Sequence, residues 1–130
     1  MERYRILVKG IVQYEDKYLI VRRWYDDRVL EPFQWGFIDG VIEFTEAPEK
    51  AILRNVAEQT GLSVVIDRIL YTWSFMTGEV FNIGISFLCR ATMTEVLLSE
   101  DLVENKWVRK EELESFIDRK IIDDLEAAEL

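Results

Sequence analysis

No histidine occurs in the 130 residues, and Cys89 is the single cysteine. Histidine-based triads, histidine–metal sites and histidine pH switches are therefore excluded. So are disulfide frameworks and multi-cysteine zinc sites. Any chemistry must run on carboxylates, Lys and Arg, Tyr, hydroxyls or a bound ion. One segment concentrates such groups: between Gly40 and Leu62 stand Glu46, Arg54, Asn55, Glu58 and Gln59. The last four lie one, three or four residues apart, so on a helix their side chains share one arc. Oxygen donors in a row on a rigid helix suit a hard cation. Such cations bridge phosphate oxygens, neutralise developing charge and activate water. Ala51, in the middle of that arc, leaves room for an ion or a phosphate. Arg54 and Glu58, spaced i, i+4, read equally as an ion pair, and Glu46 can accept from Arg54 across the turn.

That arc needs a helix, and the local pattern supplies one. Thr45 is placed as its N-cap, Glu46 sits in the first turn, and Pro48 is early enough to lose no hydrogen bond. Ile52, Leu53, Val56, Ala57 and Thr60 recur at helical spacing and form the expected apolar stripe, and Gly61 suits the C′ position. Before it, residues 5–13 and 18–23 read as a hairpin across a polar turn. Residues 24–34 read as a loop around Pro32, and 35–44 as a short, partly extended stretch. After it come strands at 62–66 and 69–76, a turn at 77–79 and a long strand at 80–91. A loop with Glu95, Glu100, Asp101 and Glu104 follows, then a short apolar patch at 106–108. Residues 111–130 read as one helix with Leu113, Phe116, Ile117, Ile121 and Leu125 inward. The order predicts a single α/β domain over residues 1–130, a mixed sheet covered by helices.

The box from Gly40 to Leu62 resembles a known pattern: Gly, five residues, Glu, seven residues, then Arg-Glu-U-x-Glu-Glu-x-Gly-U, with U a bulky aliphatic. This is the Nudix box, and Gly40, Glu46, Arg54, Val56, Glu58, Gly61 and Leu62 match it. Asn55 and Gln59 stand where the family usually has glutamates. The context is similar too. Residues 10–23 resemble the family's first hairpin, and Trp35 to Glu43 resembles the lead-in Trp-x-x-Pro-Gly-Gly-x-x-Glu, with Ile38 and Asp39 in place of the Pro and first Gly. Glu104 to Trp107 resembles the late Glu-x-x-Trp segment.

This resemblance implies an α/β/α sandwich around a mixed sheet. It implies a hydrolase in which water cleaves the pyrophosphate bond of a nucleoside diphosphate linked to another moiety, assisted by Mg²⁺ or Mn²⁺. Glu58, Arg54, Glu46 and Glu104 are its expected catalytic residues, and Glu58, Gln59 and Asn55 its expected metal ligands. The two amides keep an oxygen but drop two charges, which weakens a metal site. Asp39, Glu43 or Glu104 is expected to supply the missing ligand or base. Arg22, Arg23, Trp24, Phe33 and Gly40 are the expected substrate contacts. The rival expectation is a catalytically impaired Nudix fold that binds a nucleotide-like ligand as a regulatory module.

Blander readings stand beside these. Glu58 also reads as a solvated partner of Arg54, and Glu46 as structural. Arg22, Arg23 and Arg28 also read as strand-edge solvation. Tyr71, Trp73 and Phe75 share a strand face, for packing or for stacking on a base. Trp24, Tyr25 and Phe33 suit a nucleobase or a homodimer partner. A formal charge of −9 without a basic run argues against nucleic acid. No apolar run approaches membrane-spanning length, and no signal-type segment is present, so the expectation is a soluble, cytoplasmic protein with no membrane partner.

Overall fold

A computed structural model of the chain describes residues 2–24 and 34–130. Its strands are β1 (Arg3–Tyr14), β2 (Lys17–Arg23), β3 (Trp35–Gly36), β4 (Ile38–Val41), β5 (Val64–Thr77), β6 (Val80–Ala91) and β7 (Leu102–Arg109). Helix α1 spans Pro48–Thr60 and α2 spans Arg119–Ala127, with a 3-10 helix at Lys110–Ser115 before α2. The sheet is mixed, as expected. β1 runs parallel to β6 along its length. β1's partners β2 and β4, and the β2–β7 and β5–β6 pairs, are antiparallel.

The sheet topology positions the site. β4 pairs with β1 at Leu7 to Gly10, and β2 pairs with it at Gln13 and Tyr14. β3 pairs with the far end of β2, at Val21 and Arg22. The end of β2 is thus brought beside β4, and α1 lies across β4 and β1.

Two apolar layers hold helices to the two faces. Under α1, Ile52 and Val56 pack with Val8, Val12, Val21, Ile38 and Phe87. On the other face Ile11, Ile20, Phe37 and Leu88 meet Leu113, Ile117, Ile122 and Leu125. Each such aliphatic contributes about 1.5–3 kcal/mol by leaving water. Cys89 is core, and burial pushes its thiol up to about 12. Among the described residues no helix is long and apolar enough to cross a membrane.

Several expectations need correction. Thr45 is not the cap of α1. It lies before the helix at φ 70°, and Ala47 occupies the N-cap position. The buried stripe is also turned relative to the expected one. Ala51, Ile52, Asn55, Val56 and Thr60 are buried, while Leu53 and Ala57 face solvent. Ala51 therefore makes no room for an ion; it is sealed in the core beneath the sheet. The close approach of β1 and β4 sets this phase. A Cβ on Gly10 would lie 3.0 Å from Ile52 Cδ1, and one on Gly40 would overlap the Asn55 amide.

The strands expected at 62–66 and 69–76 are one strand, β5, irregular at 66–68 and 69–71. The patch at 106–108 is the inner part of β7, paired along β2. The helix expected over 111–130 is broken at 116–118. Its buried positions run 113, 117, 122 and 125. The step of five from Ile117 to Ile122 exceeds helical spacing, and the break resets the phase so that all four reach the sheet.

Candidate functional site

The loop between β4 and α1 is tied to the helix through Arg54. Its Nε donates to Glu46 Oε2 at 2.8 Å and its Nη2 to Glu46 Oε1 at 2.9 Å, a bidentate pair. Nη2 also donates to the Val41 carbonyl at 3.0 Å. Nη1 reaches Glu58 Oε2 at 3.3 Å and lies 3.8 Å from Glu43 Oε1. Glu46 Oε1 in turn accepts the Glu43 backbone N–H at 3.0 Å. The Arg54 hydrogen bond, with help from that N–H, holds the Glu46 carboxyl down at about 2, and Glu46 raises Arg54 in return. Glu46 is thus a clamp behind the cleft, not an open ligand.

The two departures from the box form a second tie. Asn55 is buried, and its Nδ2 donates to the Ala51 carbonyl at 2.9 Å. Gln59 Nε2 donates to the Asp39 carbonyl at 2.8 Å and reaches Asn55 Oδ1 at 3.3 Å. Arg23 comes over from the end of β2. Its Nη2 donates toward Gln59 Oε1 at 3.3 Å, the Asp39 carbonyl at 3.4 Å and the Phe37 carbonyl at 3.5 Å.

These ties border one open cleft of about 500 Å³, lined by Arg23, Asp39, Gly40, Val41, Glu43, Arg54, Asn55, Glu58, Gln59, Ser99 and Asp101. Eight residues singled out in the sequence therefore converge. Other residues singled out do not line it among the described residues. Glu104, expected to supply a ligand, is instead paired with Arg22 at 2.7 Å. That Arg22 guanidinium also lies 5.8 Å from the centre of the Trp35 ring. Trp24 is exposed at the end of β2, its backbone N–H on the Asp101 carbonyl at 3.2 Å. Phe33, Tyr25 and Arg28 lie outside the described residues. On the opposite sheet face Tyr71 and Trp73 pack 5.9 Å apart, and Lys9 stands over the Trp73 ring at 4.6 Å.

Ser99 and Asp101 were not expected at the cleft. They arrive because the loop before β7 docks on the end of α1. Leu97 N–H donates to the Thr60 carbonyl at 2.9 Å and Ser99 N–H to the Gln59 carbonyl at 3.0 Å. The signal was indirect: a helix ending at Gly61 leaves carbonyls that some other segment must satisfy.

The sequence matches the NUDIX domain family over residues 4–125. The chain belongs to the Nudix family. Among Nudix proteins it is similar to the nucleoside triphosphatase NudI of Escherichia coli O17:K52:H18 (strain UMN026 / ExPEC). That relative is 28% identical over 123 residues, covering 85% of this chain and 86% of the relative. Its fold is similar to that of the MutT protein from Methanosarcina mazei Go1, with a TM-score of 0.83 at 23% identity over 98% of this chain and 94% of that one. The NUDIX domain of Shewanella oneidensis NrtR, in its complex with ADP ribose, gives 0.80 at 16% identity over 100% and 91%.

Nudix hydrolases generally use divalent metals, and the donor set here can be tested against that need. Among the described residues no three acidic, histidine or cysteine side chains gather around one point. The amide oxygens of Asn55 and Gln59 already accept hydrogen bonds. Glu43 and Glu58 remain, exposed at the cleft beside Arg54. Two carboxylates suit a Mg²⁺ that is held chiefly by substrate phosphates, not one caged by the protein.

Proposed function

We propose that this Nudix chain hydrolyses the pyrophosphate linkage of a nucleoside diphosphate joined to another moiety. The observation that carries this reading is the cleft beside α1 that Arg23, Arg54, Glu43 and Glu58 line together. The Arg23 cation suits a phosphate oxygen, and the exposed Glu58 carboxylate held beside Arg54 suits a water molecule. The names of the relatives, a nucleoside triphosphatase and a domain complexed with ADP ribose, support a nucleotide substrate.

In this reading Arg23 hydrogen-bonds a phosphate oxygen and fixes the diphosphate along the cleft. Arg54, held by Glu46, orients Glu58. Glu58 accepts a proton from water as the water oxygen bonds to phosphorus. The bridging P–O bond breaks, and its electron pair leaves with the departing phosphate. A Mg²⁺ or Mn²⁺ ion, held by Glu43 and Glu58 with the phosphates, would supply charge neutralisation on the phosphate oxygens.

The test is product analysis. Purified protein is incubated with nucleotide sugars, ADP-ribose, dinucleoside polyphosphates and nucleoside triphosphates, with Mg²⁺ or Mn²⁺. A nucleotide product cleaved at the pyrophosphate is expected, with kcat falling about 10²–10⁴-fold in Glu58→Gln. No product from any of them overturns the reading. One observation favours a second reading, a ligand-binding module with little turnover: Asn55 and Gln59 replace glutamates and are bonded to each other, with Asn55 also on the Ala51 carbonyl of α1 and Gln59 on the Asp39 carbonyl of β4. Thermal stabilisation by a nucleotide that is never cleaved would support that reading.

A further inference from the structure

Three oxygens, the carbonyls of Phe37 and Asp39 and Gln59 Oε1, converge on one nitrogen, Arg23 Nη2, at 3.5, 3.4 and 3.3 Å. Converging carbonyl and amide oxygens are the donors a hard cation takes. Here they surround a guanidinium. The neighbouring side chain is matched to that arrangement. Gln59 accepts from Arg23 with its oxygen and donates to the Asp39 carbonyl with its nitrogen. A carboxylate at position 59 has no proton to donate and would lose the 2.8 Å bond to that carbonyl. Asn55 steadies the same amide from below. The two departures from the box and Arg23 therefore form one connected arrangement.

We propose that Arg23 is a resident cation, seated in the oxygen cluster at the β4 edge, and that it holds the diphosphate of a nucleotide with no divalent ion on those oxygens. The inference rests on the functional reading above and deepens it. A divalent ion on those oxygens would stand a few ångströms from a fixed positive charge, in a partly dry site where repulsion is strong. Arg23 is anchored through Nη2 alone. Its Nε and Nη1 make no hydrogen bond among the described residues, and the side chain lines the cleft. A guanidinium fixed on one side, with donors left on the other, is suited to phosphate oxygens and does not depart with a chelator.

The experiment measures ADP and UDP binding by calorimetry in EDTA and in Mg²⁺, and Mn²⁺ binding by electron paramagnetic resonance without nucleotide. The proteins are the wild type, Arg23→Gln and Arg23→Lys. The wild type is expected to bind the tighter nucleotide with Kd values within about threefold in the two buffers. Arg23→Gln is expected to weaken binding in EDTA at least about tenfold and to tighten Mn²⁺ binding by a similar factor. Arg23→Lys keeps the charge and is expected to keep Mn²⁺ binding as weak as in the wild type. Wild-type binding that needs Mg²⁺ would overturn this inference and leave the functional reading standing. No nucleotide binding in either buffer would overturn both. If Arg23→Gln fails to fold, the wild-type and Arg23→Lys measurements decide.

Discussion

Replacing Gly40 by alanine tests how tightly the box is seated on its helix. Gly40 lies in β4 and is not left-handed, so its need is for space and not for an unusual φ. An added Cβ would overlap Oδ1, Cγ and Nδ2 of the buried Asn55. Overpacking of this kind costs about 1–3 kcal/mol. Pushing the amide aside also strains its bonds to the Ala51 carbonyl at 2.9 Å and from Gln59 at 3.3 Å, each worth about 1 kcal/mol. A total of about 2–4 kcal/mol follows. For 130 residues the unfolding entropy is about 0.27 kcal/mol/K, so Tm should fall by about 7–15 °C. In an Asn55→Ala background the same Gly40→Ala change should cost under about 0.5 kcal/mol, a coupling of about 1.5–3.5 kcal/mol. Thermal and urea melts of the four proteins complete the cycle. Equal losses in both backgrounds, or no loss in either, would refute the packing argument.

Other outcomes follow from the same geometry. The Glu46 carboxyl sits at about 2 in the folded chain, against an ordinary 4.5. Its stabilising effect is present above about pH 4.5 and fades as pH falls toward 2, so the Tm gap between wild type and Glu46→Gln should close over that range; a gap constant from pH 7 to 2 would contradict the pairing. Ile52→Ala should cost about 2–5 kcal/mol and Leu53→Ala under about 1 kcal/mol, read by urea unfolding, because only Ile52 is fully buried. Asn55→Glu should cost about 1–3 kcal/mol by forcing a carboxylate under β4. Gln59→Glu, which meets Arg23, should melt at a higher temperature than Asn55→Glu.

The helix and its box were legible because their spacing is local: Glu46, Arg54 and Glu58 meet through contacts eight and four residues apart. The first hairpin was legible for the same reason. The helix phase was not. Leu53 and Ile52 have equal hydrophobic standing in the sequence, and only the close approach of Gly10 and Gly40 decides which faces inward. Thr45 has the chemistry of a cap, yet the loop turns left-handed there to bring Glu46 under Arg54. Strand β7 was reduced to a patch because its pairing to β2 is long-range. The link from Arg23 to Gln59 spans 36 residues, so no local pattern announces it.

The direct measurement is a ¹H–¹⁵N correlation spectrum of the labelled protein titrated with ADP in Mg²⁺. The expected result is that shifts gather at residues 39–43 and 54–59 and at the Arg23 side chain. Shifts confined to a different concavity, such as the one lined by Lys110, Leu113, Ile122 and Leu125, would contradict the placing of the diphosphate beside α1.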